Sequence, residues 1–537
     1  MINSIKTTFN SKFKILITIL FSFSLALSLI LPRIVDVSTS SLIISLLIHF
    51  IILFPLIVLL TILIKRMTEK INLNNTIKFE LKNIHFIIMF IILMIIFLIN
   101  LLVFYPGGLS NDTYDCLKMI LNLDFTSNTF RYTYLNNHHP IFYVLYLSIF
   151  IKLANIFGLS FINGLFFASL FQIILMSIAI IYFIHTIYQI NKSTFLSILI
   201  YLFFLLNPLI ARLTITVWKD IVYTILVLFF ISTFLKIIYL NKNKLNILLL
   251  LNAILLVLFR NGGILIPMIS FIIYYFIKKE KKYPYYALVL LLFNFSLTFV
   301  FKLFSIQESH FSELIATPLQ QISRTIIDKG SINNRDEELI ERIIPLRLIY
   351  SSYLHRSADG IKFNPEFNDA YLETYKIDFI IAWIRTGLVN IKTYIIAWMY
   401  ETQGFWDLKT NSEYYVPIYN YFDIFTGKEI DMNLIPFLST NTMNNIFKYY
   451  ISFTRFISNC SSVFWLICTS IYLSIIYEKR NVLIFSIPLF ILGMIYVLDS
   501  PVYEQFRYIY PLYISLPAIV FLLFHKENIN LNHKNLL

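Results

Sequence analysis

The residues with the most distinctive chemistry in this sequence are carboxylates, histidines and cations at the ends of long apolar segments. Asp112 and Asp115 follow Pro-Gly-Gly and lie three residues apart, so on a helix capped by Ser110 or Asn111 they share one face. Paired carboxylates in this arrangement could bind a divalent cation or accept a proton from a substrate. The alternative is a solvated loop helix whose acidic first turn favours the helix dipole.

Four further polar motifs lie beside apolar segments in the same way. They are His138-His139-Pro140, Trp218-Lys219-Asp220, Arg260-Asn261-Gly262-Gly263 and Glu504-Gln505-Phe506-Arg507-Tyr508. Taken singly, most have an ordinary explanation, such as interfacial histidines before a helix-starting proline, a snorkelling lysine or a tight glycine turn. Ionisable residues at or within membrane segments are nevertheless costly, and by default they mark a functional site.

The composition indicates which elements must position these motifs. Of the 537 residues, 58% are hydrophobic and only 14% are charged, whereas soluble domains are about 45–50% apolar and about 25% charged. A chain with a mean hydropathy of +0.74 cannot cover its surface with polar groups. A spanning helix needs about 20 apolar residues. The sequence therefore predicts an all-α polytopic membrane protein with about 12 spans.

Thirteen apolar segments are candidates for these spans. Those of adequate length are 14–32, 42–64, 83–105, 162–185, 217–240, 284–304, 452–476, 482–498 and 508–524, and the shorter ones are 141–157, 194–210, 246–259 and 264–277. Because His139 and Lys219 are expected on the same side, an even number of crossings must separate them, but three segments lie there. The segment expected not to cross is 194–210, which is short and interrupted by Asn207-Pro208.

Basic stretches set the expected orientation, since Lys and Arg concentrate in cytoplasmic loops. These stretches are the N-terminus, 65–82, 241–245, 278–284, 478–481 and the tail from Lys526. Both termini are then cytoplasmic, and the polar motifs and the long stretches 106–139 and 305–451 are external. The net charge of +13 (43 Lys and Arg against 30 Asp and Glu) reflects this topology, so no nucleic-acid partner is expected. We therefore expect a cell-membrane protein whose active site faces outward.

The chain divides into four expected regions. Residues 1–82 hold two transmembrane helices and a basic loop, 83–304 a catalytic transmembrane core, 305–451 an external loop or lid domain, and 452–537 the last helices and the tail. Within the third region, 379–399 has an apolar pattern broken by charges, which suits an interfacial amphipathic helix.

Together the polar motifs suggest one chemistry. Carboxylates would face three cations, Lys219, Arg260 and Arg507, at the outer edge of the membrane. This arrangement suits a substrate with a phosphate at the headgroup level and an apolar tail in the bilayer. The cations would offset charge on a departing phosphate, and a carboxylate would take the proton from an acceptor hydroxyl. The expected reaction class is group transfer from a lipid phosphate or diphosphate.

In these motifs the chain resembles the GT-C superfamily of polyprenyl-phosphate-dependent glycosyltransferases. Asp112, within Tyr-Pro-Gly-Gly-Leu-Ser-Asn-Asp, matches the functional Asp of the first external loop in that superfamily. His139-Pro140 matches its His-Pro, and Asp220 matches its second acidic position. The resemblance implies a GT-C-like bundle of about 12 transmembrane helices with a large external loop domain.

The chain looks more closely like a bacterial family of largely uncharacterised multi-pass proteins placed near GT-C. The similar pieces, in order from about residue 100 to about residue 520, are Asn137-His138-His139-Pro140, Lys219-Asp220, Arg260-Asn261-Gly262, Thr317-Pro318-Leu319-Gln320-Gln321-Ile322-Ser323-Arg324 and Arg507-Tyr508. The implied catalytic residues are Asp112, Asp115 and Asp220, with Asp112 as the base. The implied substrate-binding residues are His138, His139, Lys219, Arg260, Asn261, Arg507 and Tyr508, together with Gln320, Gln321 and Arg324 in a lid.

The expected function is transfer of a sugar, with inversion, from a polyprenyl-phosphate donor to a cell-envelope glycan, a teichoic-type polymer or a glycolipid. The acidic pair is Asp-x-x-Asp rather than Asp-x-Asp, so a divalent cofactor such as Mg or Mn stays an open question. One alternative is a flippase or transporter of lipid-linked glycans, which would need charged residues deep within several spans. Another is a ligase or polymerase of lipid-diphosphate-linked glycans, which differs in its donor. The sequence does not give the sugar or the oligomeric state.

Overall fold

The structure, a computed structural model, describes residues 7–35, 37–70, 79–121, 135–410, 421–422, 429–430 and 433–525. The tail expected to be cytoplasmic and parts of the stretches 65–82 and 106–139 lie outside these ranges. In its first half the helices are α1 (Lys12–Ile30), α2 (Thr39–Lys70), α3 (Asn83–Val103), α4 (Asn111–Leu121), α5 (Ile141–Ile156), α6 (Phe161–Asn191), α7 (Thr194–Leu205), α8 (Pro208–Thr214), α9 (Lys219–Leu240), α10 (Asn246–Phe259), α11 (Leu265–Lys278) and α12 (Lys282–Leu303).

The second half is also helical, with one short strand pair. Its helices are α13 (Ala316–Ile327), α14 (Asn334–Ile343), α15 (Leu346–Ser352), α16 (Asp359–Lys362), α17 (Asp369–Thr374), α18 (Lys376–Val389), α19 (Ile391–Thr402), α20 (Thr440–Phe453), α21 (Arg455–Ser458), α22 (Cys460–Ile476), α23 (Arg480–Leu498) and α24 (Phe506–Phe524). Strand β1 (Tyr421–Phe422) pairs antiparallel with β2 (Glu429–Ile430). Short 3₁₀ helices occupy Leu31–Val35, Asn243–Leu245, Phe311–Leu314 and Gln403–Phe405.

The multi-pass helical character expected from the composition is confirmed in its coarse form. Eight helices of the described chain are long and apolar enough to cross a membrane, or ten if each of two bent pairs is one span. The total of about 12 is not reached by this criterion. Four shorter apolar helices, Ile141–Ile156, Asn243–Phe259, Leu265–Lys278 and Cys460–Ile476, fall short because 14 to 17 residues extend only about 21–26 Å, against a hydrocarbon core of about 30 Å.

The predicted interruption at Asn207-Pro208 is confirmed, since α7 and α8 meet there at 61°. The Asn207 side chain accepts hydrogen bonds from the backbone N–H groups of Leu209 (3.1 Å) and Ile210 (3.3 Å) and donates one to the Tyr513 hydroxyl (2.7 Å). Pro208 occupies the first turn of α8, where its missing N–H costs nothing.

The prediction of one helix at 379–399 is wrong, whereas its interfacial position stays a prediction. The segment forms α18 and α19, which bend by 111° at Asn390. The Asn390 amide donates to the carbonyls of Thr386 (2.8 Å) and Ser331 (2.7 Å), so it ends α18 and ties the bend to a neighbouring loop. Arg385 Nη1 lies 3.1 Å from Asp336 Oδ1 of α14.

Three hydrophobic clusters organise the parts of the molecule around the polar motifs, and one of them, which includes Leu117, Tyr143 and Val217, packs α4 and α5 against the start of α9. In the bundle of long apolar helices, α9 is the central helix and buries Phe230 and Phe234 completely. The loop region after α12 has a separate cluster that includes Ile322, Ile340 and Ile349. The central position of α9 fixes its first residues, which carry Lys219 and Asp220, deep between the other helices.

Backbone contacts join the polar loops at one end of the bundle. The N–H of Gly108 donates to the carbonyl of Ile215 (2.9 Å), and the N–H of Val217 donates to the carbonyl of Gly108 (2.8 Å). A Cβ at position 108 would lie 2.6 Å from Thr216 Oγ1 and 3.1 Å from Thr216 Cα, so a larger residue would push these two segments apart. The start of α4 is therefore held against the start of α9.

Candidate functional site

A cavity of about 600 Å³ lies at the end of the bundle where the polar motifs meet. It is lined by eight of the predicted site residues, namely Asp112, His138, Lys219, Asp220, Arg260, Asn261, Arg507 and Tyr508. His139 contacts Lys219 of this group, and Asp115 contacts His139. The apolar side chains of Phe142, Leu297 and Phe301 line the same cavity, so a ligand there meets charged and hydrocarbon surfaces together.

The Asp112 carboxylate is paired with two cations. Its Oδ2 lies 2.6 Å from Arg507 Nη1 and 3.8 Å from Lys219 Nζ. Burial raises the pKa of the Asp112 carboxyl, but the charges of Arg507 and Lys219 lower it by more, and the net pKa lies well below the usual range. Asp112 is therefore ionised at neutral pH.

Aromatic and amide groups hold the Arg507 guanidinium in place. Its Nε donates to Gln505 Oε1 at 2.6 Å, and the group lies 4.7 Å from the ring centroid of Trp218 and 5.0 Å from that of Tyr508. The Trp218 indole donates in turn to Ser110 Oγ, next to the start of α4. This packing fixes the cation beside Asp112, because a planar guanidinium stacks well on aromatic faces.

A second carboxyl, Asp115, is neutral rather than ionised. Burial and the negative charge of Asp112 raise the pKa of Asp115 to about 8, so it is mostly protonated at neutral pH. Lys219 Nζ donates to His139 Nδ1 at 2.9 Å, and His139 Nε2 lies 3.7 Å from Asp115 Oδ2. Burial and the charge of Lys219 lower the pKa of His139 well below its usual value, which leaves a neutral ring able to accept from Lys219.

Asp220 and Arg260 form the second ion pair of the cavity. Arg260 Nη1 lies 3.2 Å from Asp220 Oδ1, and Arg260 also donates to the Tyr496 hydroxyl and lies over the ring of Tyr223. Asp220 is 1% exposed, and its Oδ2 accepts no hydrogen bond from any residue that the structure describes. A buried oxygen without a donor is costly.

His138 and Asn261 line the cavity and also have partners in the neighbouring loops. The Asn261 amide donates to the backbone carbonyl of Asn137 at 2.9 Å, and the Asn137 amide donates to Asn261 Oδ1 at 3.3 Å. These bonds fix the turn after α10 to the loop before α5. Burial lowers the pKa of His138 to about 4, so its ring is neutral at neutral pH.

Lys362 is a cavity residue that the sequence did not indicate. Its Nζ lies 2.8 Å from Glu313 Oε2 and 3.4 Å from Asp359 Oδ1, and its side chain is 2% exposed. All three line the cavity on the side of the loop region. No sequence signal marks them, since one lysine among scattered charges in a long polar stretch is ordinary.

The predicted lid residues lie elsewhere. Gln321 donates to the carbonyl of Tyr394 at 3.1 Å and accepts from the Trp383 indole at 2.7 Å. Gln320 donates to the carbonyl of Leu354 at 2.8 Å, and Arg324 Nε lies 2.8 Å from Asp328 Oδ2. None of the three lines the cavity described above, because α13 packs within the loop region and uses their polar groups there.

The described lining of the cavity has five carboxylates and four cations, namely Asp112, Asp220, Glu308, Glu313 and Asp359 against Lys219, Arg260, Lys362 and Arg507. Within the described ranges, no three His, Cys, Asp or Glu side chains are grouped so that they could hold a metal ion. The charge of Asp112 is already balanced by Arg507 and Lys219, and that of Asp220 by Arg260. A Mg or Mn ion would have to displace these cations, so this donor set does not fit such a cofactor.

Fold and site together define a multi-pass helical membrane protein with a charged cavity at one end of its bundle. Residues 129–536 match a family described as a family of unknown function, DUF6020, and the chain belongs to that family. The match includes α5 to α24 but excludes α1 to α4, and so excludes Asp112 and Asp115. No curated protein and no solved structure matches the chain.

Proposed function

We propose that this protein is a GT-C-type membrane glycosyltransferase that transfers a sugar from polyprenyl phosphate to a cell-envelope acceptor. The observation that supports the proposal best is the placement of the Asp112 carboxylate, held between Arg507 and Lys219, in a cavity that also has an apolar wall. A ligand that satisfies both surfaces carries an anionic group and a hydrocarbon chain.

The donor phosphate binds to Arg507, Lys219 and Arg260, and the prenyl chain lies along Phe142, Leu297 and Phe301. These three cations line the cavity, and they offset the charge that develops on the phosphate as the sugar leaves. Losing one such electrostatic contact typically slows an enzyme by about 10²–10³-fold.

Transfer is a single displacement. The acceptor hydroxyl oxygen bonds to the anomeric carbon, the bond from that carbon to the phosphate oxygen breaks, and polyprenyl phosphate leaves with the electron pair. The acceptor proton goes to Asp112. Because only one displacement occurs, the configuration at the anomeric carbon inverts.

Donor binding also activates the base. Without a donor, Arg507 and Lys219 hold the pKa of Asp112 well below its usual range, which makes this carboxylate a weak proton acceptor. A donor phosphate at the same cations neutralises part of their charge, so the pKa of Asp112 rises towards the working pH, where general bases act best.

The proposal includes the full topology. The eight long helices, the bent pair α7 and α8, and the shorter helices α10, α11 and α22 give 8 + 1 + 3 = 12 spans, if α5 and the pair α18 and α19 do not cross. Contrary to the expectation for 194–210, the pair α7 and α8 then crosses. Thr194 at its start donates to the carbonyl of Phe79 before α3, and Ile215 at its end accepts from Gly108 after α3. Both termini then lie in the cytoplasm and the cavity faces outward.

The test is turnover of defined donors. Purified protein in nanodiscs is given a panel of polyprenyl-phosphate and polyprenyl-diphosphate sugars with envelope extract as acceptor, and released lipid phosphate is measured. We expect release from a monophosphate donor by wild type and by Asp378→Asn, which changes an exposed carboxylate, and none by Asp112→Asn. Turnover of diphosphate donors alone would favour a ligase or polymerase, and no turnover of any donor by folded wild type would contradict the proposal.

A further inference from the structure

Two adjoining cavities lie between the N-terminal helices and α22, apart from the candidate site. One is an apolar groove of about 600 Å³, and the other is a polar pocket of about 440 Å³. Leu25 of α1 lines the groove, and Leu29, one turn further along the same face, lines the pocket. Leu408 and Lys409, neighbours in sequence, likewise line the groove and the pocket, so the two cavities lie next to each other.

The polar pocket is cationic. Arg33, Arg356 and Lys409 line it, and Asp407 is the one carboxylate among its described lining residues, which gives a net charge of 3 − 1 = +2. Asp407 Oδ2 already accepts a hydrogen bond from Gln403 Nε2 at 2.7 Å. The pocket thus has an excess of positive charge for an anionic group.

The groove is lined by hydrocarbon along its length. Phe21 and Leu25 of α1, Leu60 of α2, and Leu466 and Leu473 of α22 form its walls. Arg455 lines the groove and donates to the carbonyl of Thr410 at 3.1 Å, and Thr410 lines the polar pocket. The apolar surface therefore leads directly to the cations.

We propose that a lipid with an anionic phosphate headgroup binds here, with its chain in the groove and its phosphate among Arg33, Arg356 and Lys409. The apolar groove and the cationic pocket together favour this kind of ligand. A soluble anion would leave the groove without a matching chain, and a neutral lipid would leave the excess positive charge uncompensated.

This site is next to the candidate active site. Tyr503 lines the polar pocket and its N–H donates to the carbonyl of Arg356 at 2.8 Å, whereas Val502 and Gln505 line the charged cavity. The short segment before α24 thus separates the two phosphate sites. Lipid binding at this site does not depend on the proposed function.

The probe is a phosphatidylglycerol with a photoactivatable diazirine in its acyl chain, in phosphatidylcholine nanodiscs containing the whole chain. Crosslinked peptides from α1 and α22 are compared with peptides from α12, whose Phe295 and Phe299 are exposed and serve as a general lipid-facing reference. A phosphatidylcholine probe with the same acyl chain is measured in parallel. We expect the phosphatidylglycerol probe to label the groove at least about tenfold more than the phosphatidylcholine probe does, relative to α12, since each of three basic residues attracts an anionic lipid.

The variant Arg33→Ala/Arg356→Ala/Lys409→Ala should remove this preference. The matched control Lys242→Ala/Lys244→Ala/Lys278→Ala changes three exposed lysines elsewhere and should retain it. Ser462→Trp, which fills the groove and leaves the cations intact, should lower labelling by both probes there. The proposal is overturned by equal labelling from the two probes, by an unchanged preference in the cation variant, or by loss of labelling to equimolar soluble glycerol 3-phosphate, which would indicate a site for a free phosphate.

The same assay separates this inference from the proposed function. Selective labelling in a protein that turns over no donor would keep the lipid site and reject the transferase. Turnover without selective labelling would keep the transferase and reject the lipid site.

Discussion

Asp112 of α4 and Arg507 of α24 lie 395 positions apart in the chain, and their Oδ2 and Nη1 atoms are 2.6 Å apart. The pair holds α4, early in the chain, against α24, the last described helix, and it keeps Asp112 ionised. The same contact therefore bears on both stability and chemistry, and the two can be measured separately.

We expect strong coupling between Asp112 and Arg507 in a double-mutant cycle on unfolding. Asp112→Asn and Arg507→Gln each leave a largely buried charge without its partner, so the double variant should lose less stability than the sum of the singles, with an interaction energy of about 1–3 kcal/mol. The exposed pair Arg342 and Glu338, at 3.2 Å, should give at most about 0.5 kcal/mol. Thermal unfolding in detergent measures both cycles, and additive effects at the first pair would contradict the account.

The raised pKa of Asp115 predicts a pH dependence of stability. Between the ordinary carboxyl pKa near 4 and the folded value of about 8, the folded state binds a proton that the unfolded state has released. Asp115 thus reduces the free energy of unfolding as the pH rises through this window, by about 1.4 kcal/mol for each pH unit at most. Melting temperatures of Asp115→Asn should fall less between pH 4 and pH 8 than those of wild type, and parallel curves would refute the assignment.

Gln321 distinguishes a lid that touches substrate from a packed loop region. Its amide bridges Trp383 and Tyr394, so Gln321→Ala removes two hydrogen bonds and should cost about 1–3 kcal/mol of stability. We expect the KM for the donor to stay within about twofold of wild type, because Gln321 does not line the cavity. A large rise in KM with unchanged stability would restore the lid role.

Cysteine labelling on intact cells tests the orientation. Cys116, although next to Asp115 in sequence, is buried and cannot report on sidedness. Glu337→Cys and Lys242→Cys place thiols at exposed positions, in the loop region and in the turn between α9 and α10. An impermeant maleimide should label Glu337→Cys on intact cells and Lys242→Cys only after lysis, with wild type as background. The reverse order would place the cavity in the cytoplasm.

The sequence predicted which residues line the cavity better than it predicted which of them pair with each other. Membrane helices alternate direction, so the sidedness of Asp112, Lys219, Arg260 and Arg507 could be counted from the basic loops, and the structure brings these residues together. Which carboxylate meets which cation depends on side-chain packing. That Asp112 pairs with Arg507, and not with Arg260, has no signature in spacing.

The loop region was the least predictable part. Lys362 is buried against Glu313 and Asp359, but hydropathy patterns treat charged residues as exposed. Residues 379–399 have the length of one helix, and the bend depends on hydrogen bonds from Asn390 to a distant loop. Such contacts between residues far apart in sequence cannot be derived from local pattern.

The central claim is that Arg507 and Lys219 hold the donor phosphate while Asp112 takes the acceptor proton. The most direct measurement compares donor binding and sugar transfer in wild type and Asp112→Asn, with the donor found in the panel above. We predict that Asp112→Asn binds the donor as tightly as wild type or more tightly, because an anion beside the phosphate is removed, while transfer falls by at least about 10²-fold. Transfer at the wild-type rate by Asp112→Asn, with donor binding intact, would contradict the account.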